Sequence, residues 1–194
     1  KGYDSNALVE TLEERGVTAE STPAAFHALY AAEGSDWFWW LGDDQSSGAD
    51  AEFEALFAQA LDYIVAAGGK AIHCLAGKVD VNERPAAERA FIGNLTRAAD
   101  LAAARGITLL IEPINNRDRP DYFLNRAEHA ADIIAKIGKP NIRIQFDFYH
   151  AQIMGGDLIR RFEKHLPLIG HVQIAAVPSR HEPDEGEVNY SDIY

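Results

Sequence analysis

Three shortages bound this chain of 194 residues. It has a single cysteine, Cys74, which excludes an internal disulfide framework and leads us to expect a reducing, cytoplasmic setting. It is short of positive charge: 18 Lys and Arg stand against 30 Asp and Glu, for a net charge of −12. A phosphate backbone calls for a basic footprint, so no nucleic-acid partner is expected. Small anionic substrates stay open, because one local Arg or a bound cation overrides the global field. Long apolar runs are also missing. Nothing approaches the roughly 18 residues that span a bilayer, and the opening "KGYDSN" does not read as a signal peptide. No membrane partner is expected, and the start on Lys1 rather than Met reads as a trimmed beginning.

What the chain does have is apolar content, 47% of residues, enough for one core and one domain over residues 1–194. Helical and strand patterns alternate. "DSNALVETLEERG" reads as a first helix stopped by Gly16. Residues 17–50, with Trp37, Trp39 and Trp40 beside a Gly/Ser/Asp tract, read as a loop around a short strand. From Ala51, apolar residues recur on one face (Phe53, Leu56, Phe57, Ala60, Leu61, Ile64) until Gly68, which predicts an amphipathic helix. "KAIHCLAG" is then a strand, "RPAAERAFIGNLTRAADLAAARG" a helix, "ITLLIE" a strand, "NRAEHAADIIAKIG" a helix and "NIRIQFDF" a strand. A helix from about Ala151 to His165 and the strand "IGHVQIA" follow. Strands that alternate with helices and carry no hairpin signals predict right-handed crossovers and a parallel sheet.

In "LLIEPINNRD" an aliphatic strand runs straight into Glu112, and Pro113 turns the chain out. The intervals from Glu112 to Asp147 and from Asp147 to Gln173 both bracket the roughly 31 residues per unit of an eight-fold βα barrel. The three polar residues therefore end successive strands on one edge, which in such a barrel is the active-site face. Two carboxylates and an amide oxygen converging there suit a hard divalent cation, Mg²⁺ or Mn²⁺, which would relieve the repulsion between the acids. His150, three residues after Asp147, is placed to reach a ligand oxygen, and Arg180 is the local cation for an anionic substrate. Each residue has a plainer alternative. Glu112 or Asp147 could cap a helix or pair with a base, Gln173 could be an ordinary polar strand end, and His150 a first-turn helix residue. Arg180 could be a solvated loop charge, His73 either a core histidine or a pocket wall, and the tryptophans core packing or a lid.

"LLIEPINNRDRPDYFLN", "IQFDFYHAQIMGGDL" and "GHVQIAAVPSRHEPDEGEVNY", in this order, resemble segments of the hydroxypyruvate isomerase family, a branch of the xylose-isomerase-like TIM barrels. The likeness is strongest from about Ala71 to Tyr194. It implies an α/β fold, a (β/α)8 TIM barrel with about five of its eight βα units in this chain. It further implies Glu112 as metal ligand and acid/base, Asp147 and Gln173 as metal ligands, and His150 and Arg180 at the substrate; His73, if a pocket wall, is a further candidate to bind substrate. The implied reaction interconverts hydroxypyruvate and 2-hydroxy-3-oxopropanoate (tartronate semialdehyde), or another 2-oxo sugar acid such as 2-oxo-tetronate. It proceeds by metal-assisted proton transfer through an enediolate, with no cofactor beyond the cation.

Set against the family pattern, the first two strands and the last, which carries a second glutamate, have no counterpart here. The expectation is an incomplete isomerase that is inactive as the 194-residue chain and whose open strand edges favour pairing into homo-oligomers. A metal-dependent endonuclease for abasic DNA is disfavoured by the acidic balance. A non-catalytic truncated barrel acting in binding or assembly is the alternative of another class.

Overall fold

The computed structural model describes residues 50–193. The expected first helix, the strand or loop of residues 17–49 and the three tryptophans lie outside the described residues.

The first described helix, α1 (Asp50–Ala66), buries Ala60 and Leu61. It stops where Gly68 takes φ of 80°, a left-handed conformation that glycine adopts at little cost. Strand β1 (Ala71–Cys74) follows, then α2 (Arg84–Ala103), which Pro85 opens. Pro belongs in a first turn, where its missing N–H would have had no helical partner. The buried face of α2 (Ala87, Phe91, Leu95, Ala98, Ala102) recurs at the helical period. Strand β2 (Thr108–Ile111) ends one residue short of Glu112. Helix α3 (Ala127–Ile137) is closed by Gly138 at φ 69°, and β3 (Ile142–Asp147) runs directly into α4 (Phe148–Met154). Helix α5 (Leu158–His165), a 3₁₀ turn (Leu166–Leu168) and β4 (Ile169–Gln173) complete the alternation.

The four described strands lie in the order β1-β2-β3-β4, and every pairing is parallel. This matches the expected topology; the remaining strand of the five expected would fall outside the described residues. Strand alternation divides the sheet into two faces. Leu109, Ile111, Ile142, Ile144 and Phe146 face the helices and join Phe91, Leu95 and Ile133 in one apolar core. The intervening positions, including His73, Gln145, Asp147 and Gln173, face the other way. At Gly170 a Cβ would stand 2.6 Å from the Cβ of Arg143, so only glycine lets β4 approach β3 there.

One expected helix is divided. The sequence pattern predicts one helix from Ala151 to His165, but α4 ends at Met154 and α5 starts at Leu158. Two glycines, Gly155 and Gly156, stand between, and Gly156 takes φ of 63°. Each glycine in a helix interior costs about 1 kcal/mol relative to alanine, and a left-handed residue cannot continue the ladder.

Candidate active site

Glu112 and Asp147 meet at the C-terminal edge of the sheet because they follow or end neighbouring parallel strands, β2 and β3. Both are nearly buried, at 5% and 8% exposure. Burial pushes the Glu112 carboxyl up to about 7, and the nearby Asp147 charge adds to the rise; Gln145 and Arg180 pull against it. Burial likewise raises Asp147, opposed by backbone N–H donors and by Arg180. Two acids crowded out of water favour the protonated form, or a shared cation.

Asp147 divides its two oxygens between structure and site. Oδ1 accepts the Tyr149 backbone N–H at 2.8 Å, capping α4, an interaction typically worth about 1 kcal/mol. Oδ2 faces His150 Nε2 at 3.6 Å. The capping alternative weighed for this carboxylate and its placement in the site therefore hold together.

His150, 2% exposed in the first turn of α4, also has Nε2 3.8 Å from Glu112 Oε1. Burial and Arg180 push its pKa down to about 4, so the ring is neutral at physiological pH. His73 is a wall residue rather than a core histidine: its side chain is 31% exposed, with Nε2 3.3 Å from Glu112 Oε2. Gln173 stands opposite Asp147 in the β3–β4 register. Its Oε1 accepts a hydrogen bond from Gln145 Nε2 at 2.9 Å.

Arg180 reaches the site from the loop after β4. Its φ is 59°, an uncommon conformation for a residue with a side chain, and its N–H donates to the Ala176 carbonyl at 2.7 Å. The guanidinium lies 5.1 Å over the Tyr149 ring, with Nη2 3.5 Å from His150 Nε2 and Nη1 3.9 Å from Asp118 Oδ2. Its side chain remains 45% exposed, so it forms the rim.

All six residues singled out in the sequence thus gather at one edge. Four more were not foreseen: Gln145, Asn115, Asp118 and Tyr149. Gln145 was within reach of the alternation argument, standing two positions before Asp147 on the same face. The others come from short polar stretches without periodicity. Asp118 Oδ2 accepts the Tyr149 hydroxyl at 2.7 Å, and Arg117 donates to the same hydroxyl at 3.2 Å.

Glu112, Asp147 and His150 each offer an atom within 4.8 Å of the others, a group that could hold a metal ion. Together with the parallel sheet, this defines a polar, metal-competent site at the C-terminal mouth of an α/β barrel. The chain belongs to the xylose isomerase-like TIM barrel family, whose model matches residues 1–194. It is 43% identical over 148 residues to 2-oxo-tetronate isomerase of Cupriavidus necator, with 76% of this chain and 57% of that protein covered. To hydroxypyruvate isomerase of Escherichia coli it is 38% identical over 148 residues, with the same coverages. Among solved structures, an AP endonuclease, family 2, from Brucella melitensis superposes with a TM-score of 0.72 at 44% identity, covering 76% of this chain and 57% of that one. The chain therefore spans a little over half the length of these relatives. Cys74 is buried, and burial raises its thiol far above the ordinary range, which makes it unreactive. Among the described residues no helix is long and apolar enough to cross a membrane.

Proposed function

We propose that this chain supplies the metal-binding and proton-transfer residues of an isomerase acting on small 2-oxo acids. The substrate is hydroxypyruvate, converted to 2-hydroxy-3-oxopropanoate. The observation that carries this reading is the burial of two carboxylates from adjacent parallel strands against each other, with Glu112 raised to about 7. A carboxylate poised near neutrality both accepts and returns a proton at physiological pH.

The donor set fits a hard divalent cation, Mg²⁺ or Mn²⁺. Glu112 and Asp147 offer oxygens whose crowding a cation relieves, and the Gln173 amide oxygen, which keeps a lone pair beyond the Gln145 bond, completes the set. Such an ion would stabilise negative charge on the substrate's adjacent oxygens. Glu112 takes a proton from C3 of hydroxypyruvate, giving an enediolate, and proton delivery to C2 with transfer of the hydroxyl proton between the oxygens gives the aldehyde. His150 and His73 border the reacting oxygens, and Arg180 at the rim pairs with the substrate carboxylate, which an acidic protein would otherwise repel.

A second substrate, 2-oxo-tetronate, is favoured by the name of the Cupriavidus relative and would use the same residues with one more hydroxymethylene group accommodated. The name of the Brucella protein points to phosphodiester cleavage in DNA, but a net charge of −12 opposes a nucleic-acid partner. The direct test joins the chain to the end segments that its longer relatives carry and incubates the product with hydroxypyruvate and Mn²⁺ in deuterated water. We expect deuterium at the aldehyde product's C2 and its loss in Glu112→Gln. Isomerisation at the wild-type rate in Glu112→Gln would refute the assignment.

A further inference from the structure

Asn115 follows Glu112 in the loop after β2 and is fully buried, at 0% exposure. Asp118 grips its side-chain amide at both ends: Asn115 Oδ1 accepts the Asp118 backbone N–H at 2.8 Å, and Asn115 Nδ2 donates to Asp118 Oδ2 at 3.1 Å. A half-turn of the amide would set donor against donor and acceptor against acceptor, and each buried mismatch costs about 1–3 kcal/mol. Which end is nitrogen is therefore fixed. That nitrogen lies 2.6 Å from His150 Nδ1, and the Asn115 backbone N–H also points at Nδ1, at 3.4 Å.

Facing two donors, Nδ1 must accept, and in a neutral imidazole the proton then resides on Nε2. Nε2 faces Glu112 Oε1 at 3.8 Å and Asp147 Oδ2 at 3.6 Å. Both distances exceed a hydrogen bond, which leaves the N–H aimed at the gap between the carboxylates. The Arg180 guanidinium, 3.5 Å away, is donor-only and at the limit of hydrogen-bond distance, so it does not outweigh the pair at Nδ1.

We propose that Asn115, clamped by Asp118, is a positioning residue that holds His150 as the Nε2–H tautomer, making the ring a hydrogen-bond donor to a substrate oxygen rather than a metal ligand. With its proton on Nε2, the ring has no lone pair to offer a cation there. Of the three clustered groups, the two carboxylates take the metal and His150 takes the substrate. This rests on the proposed function for what the ring does; the tautomer rests on the hydrogen bonds alone.

The test is long-range ¹H–¹⁵N correlation NMR of the full chain with ¹⁵N-labelled histidine, which distinguishes protonated from unprotonated ring nitrogens. The expected result is an unprotonated Nδ1 and a protonated Nε2 for His150. In Asn115→Asp an acceptor replaces the donor and the proton moves to Nδ1; in Asn115→Ala, checked for folding by circular dichroism, the Nε2–H preference weakens. Protonated Nδ1 in the wild type overturns the inference, as does an Nε2–H tautomer unchanged in both variants. The readout needs neither metal nor substrate, so the expected tautomers found together with undiminished isomerisation in Glu112→Gln of the extended protein would sustain this inference while refuting the proposed function.

Discussion

The two faces of the sheet are built from alternate residues of the same strands and do opposite things. On the helix side, Leu109, Ile111, Ile144 and Phe146 are at most 2% exposed and gain free energy by leaving water. On the other side, Glu112 and Asp147 are nearly as buried and lose free energy by it, as their raised pKa values record. A single strand thus stabilises the fold with one residue and leads with the next to a buried carboxyl whose ionisation burial opposes. Burial in this protein marks either the core or the site, and the chemistry of the side chain decides which.

The largest effect that separates the faces is core truncation. Phe146→Ala should cost about 3–5 kcal/mol, because the ring packs edge-on against Phe148 and Phe162; chemical denaturation measures it. Next comes pH. Glu112 has a folded pKa raised to about 7 from an ordinary 4.5, so between these values the folded chain binds more protons than the unfolded one. The contribution of Glu112 to the stability of the metal-free protein should therefore be fullest below about pH 4.5 and fall as pH rises toward 7, at up to about 1.4 kcal/mol per pH unit, while His150, whose pKa burial pushes down to about 4, contributes in the opposite direction. Glu112→Gln should flatten that slope; a slope unaltered by the substitution would remove Glu112 as its source. Smaller still is the effect at the rim. Arg180→Gly relieves a left-handed backbone and should hold or raise stability by up to about 1 kcal/mol, whereas Arg180→Ala should not. In the chain extended by its relatives' end segments, both should raise KM for a carboxylate substrate roughly tenfold with less change in kcat, the signature of lost binding.

The helix side was legible in the sequence because periodicity reports which face is apolar. Gly68 marked a helix end as expected, and the strands that lead to Glu112 and carry Asp147 and Gln173 fell in the predicted order. The break at Gly155 and Gly156 was overlooked although two adjacent glycines inside a helical pattern are themselves a signal. The clamp of Asn115, Asp118 and Tyr149 was not legible. It forms between the loop after β2 and α4, a helix and a strand later in the chain, and nothing in the spacing of polar loop residues says which of them face one another. Arg180 was identified by its charge, but its left-handed backbone depends on the course of the loop after β4.

Everything proposed for the site depends on Glu112 and Asp147 together holding a cation. Titration calorimetry with Mn²⁺, run near pH 7 in two buffers of different ionisation enthalpy, tests it most directly. The account predicts one site, proton release on binding because Glu112 is partly protonated there, and affinity weakened about 100-fold or more in Glu112→Gln and in Asp147→Asn. The second variant keeps an oxygen that can cap α4, so its loss of affinity would not come from an unfolded helix. Wild-type affinity in both variants would contradict the account and leave the two carboxylates as structural groups.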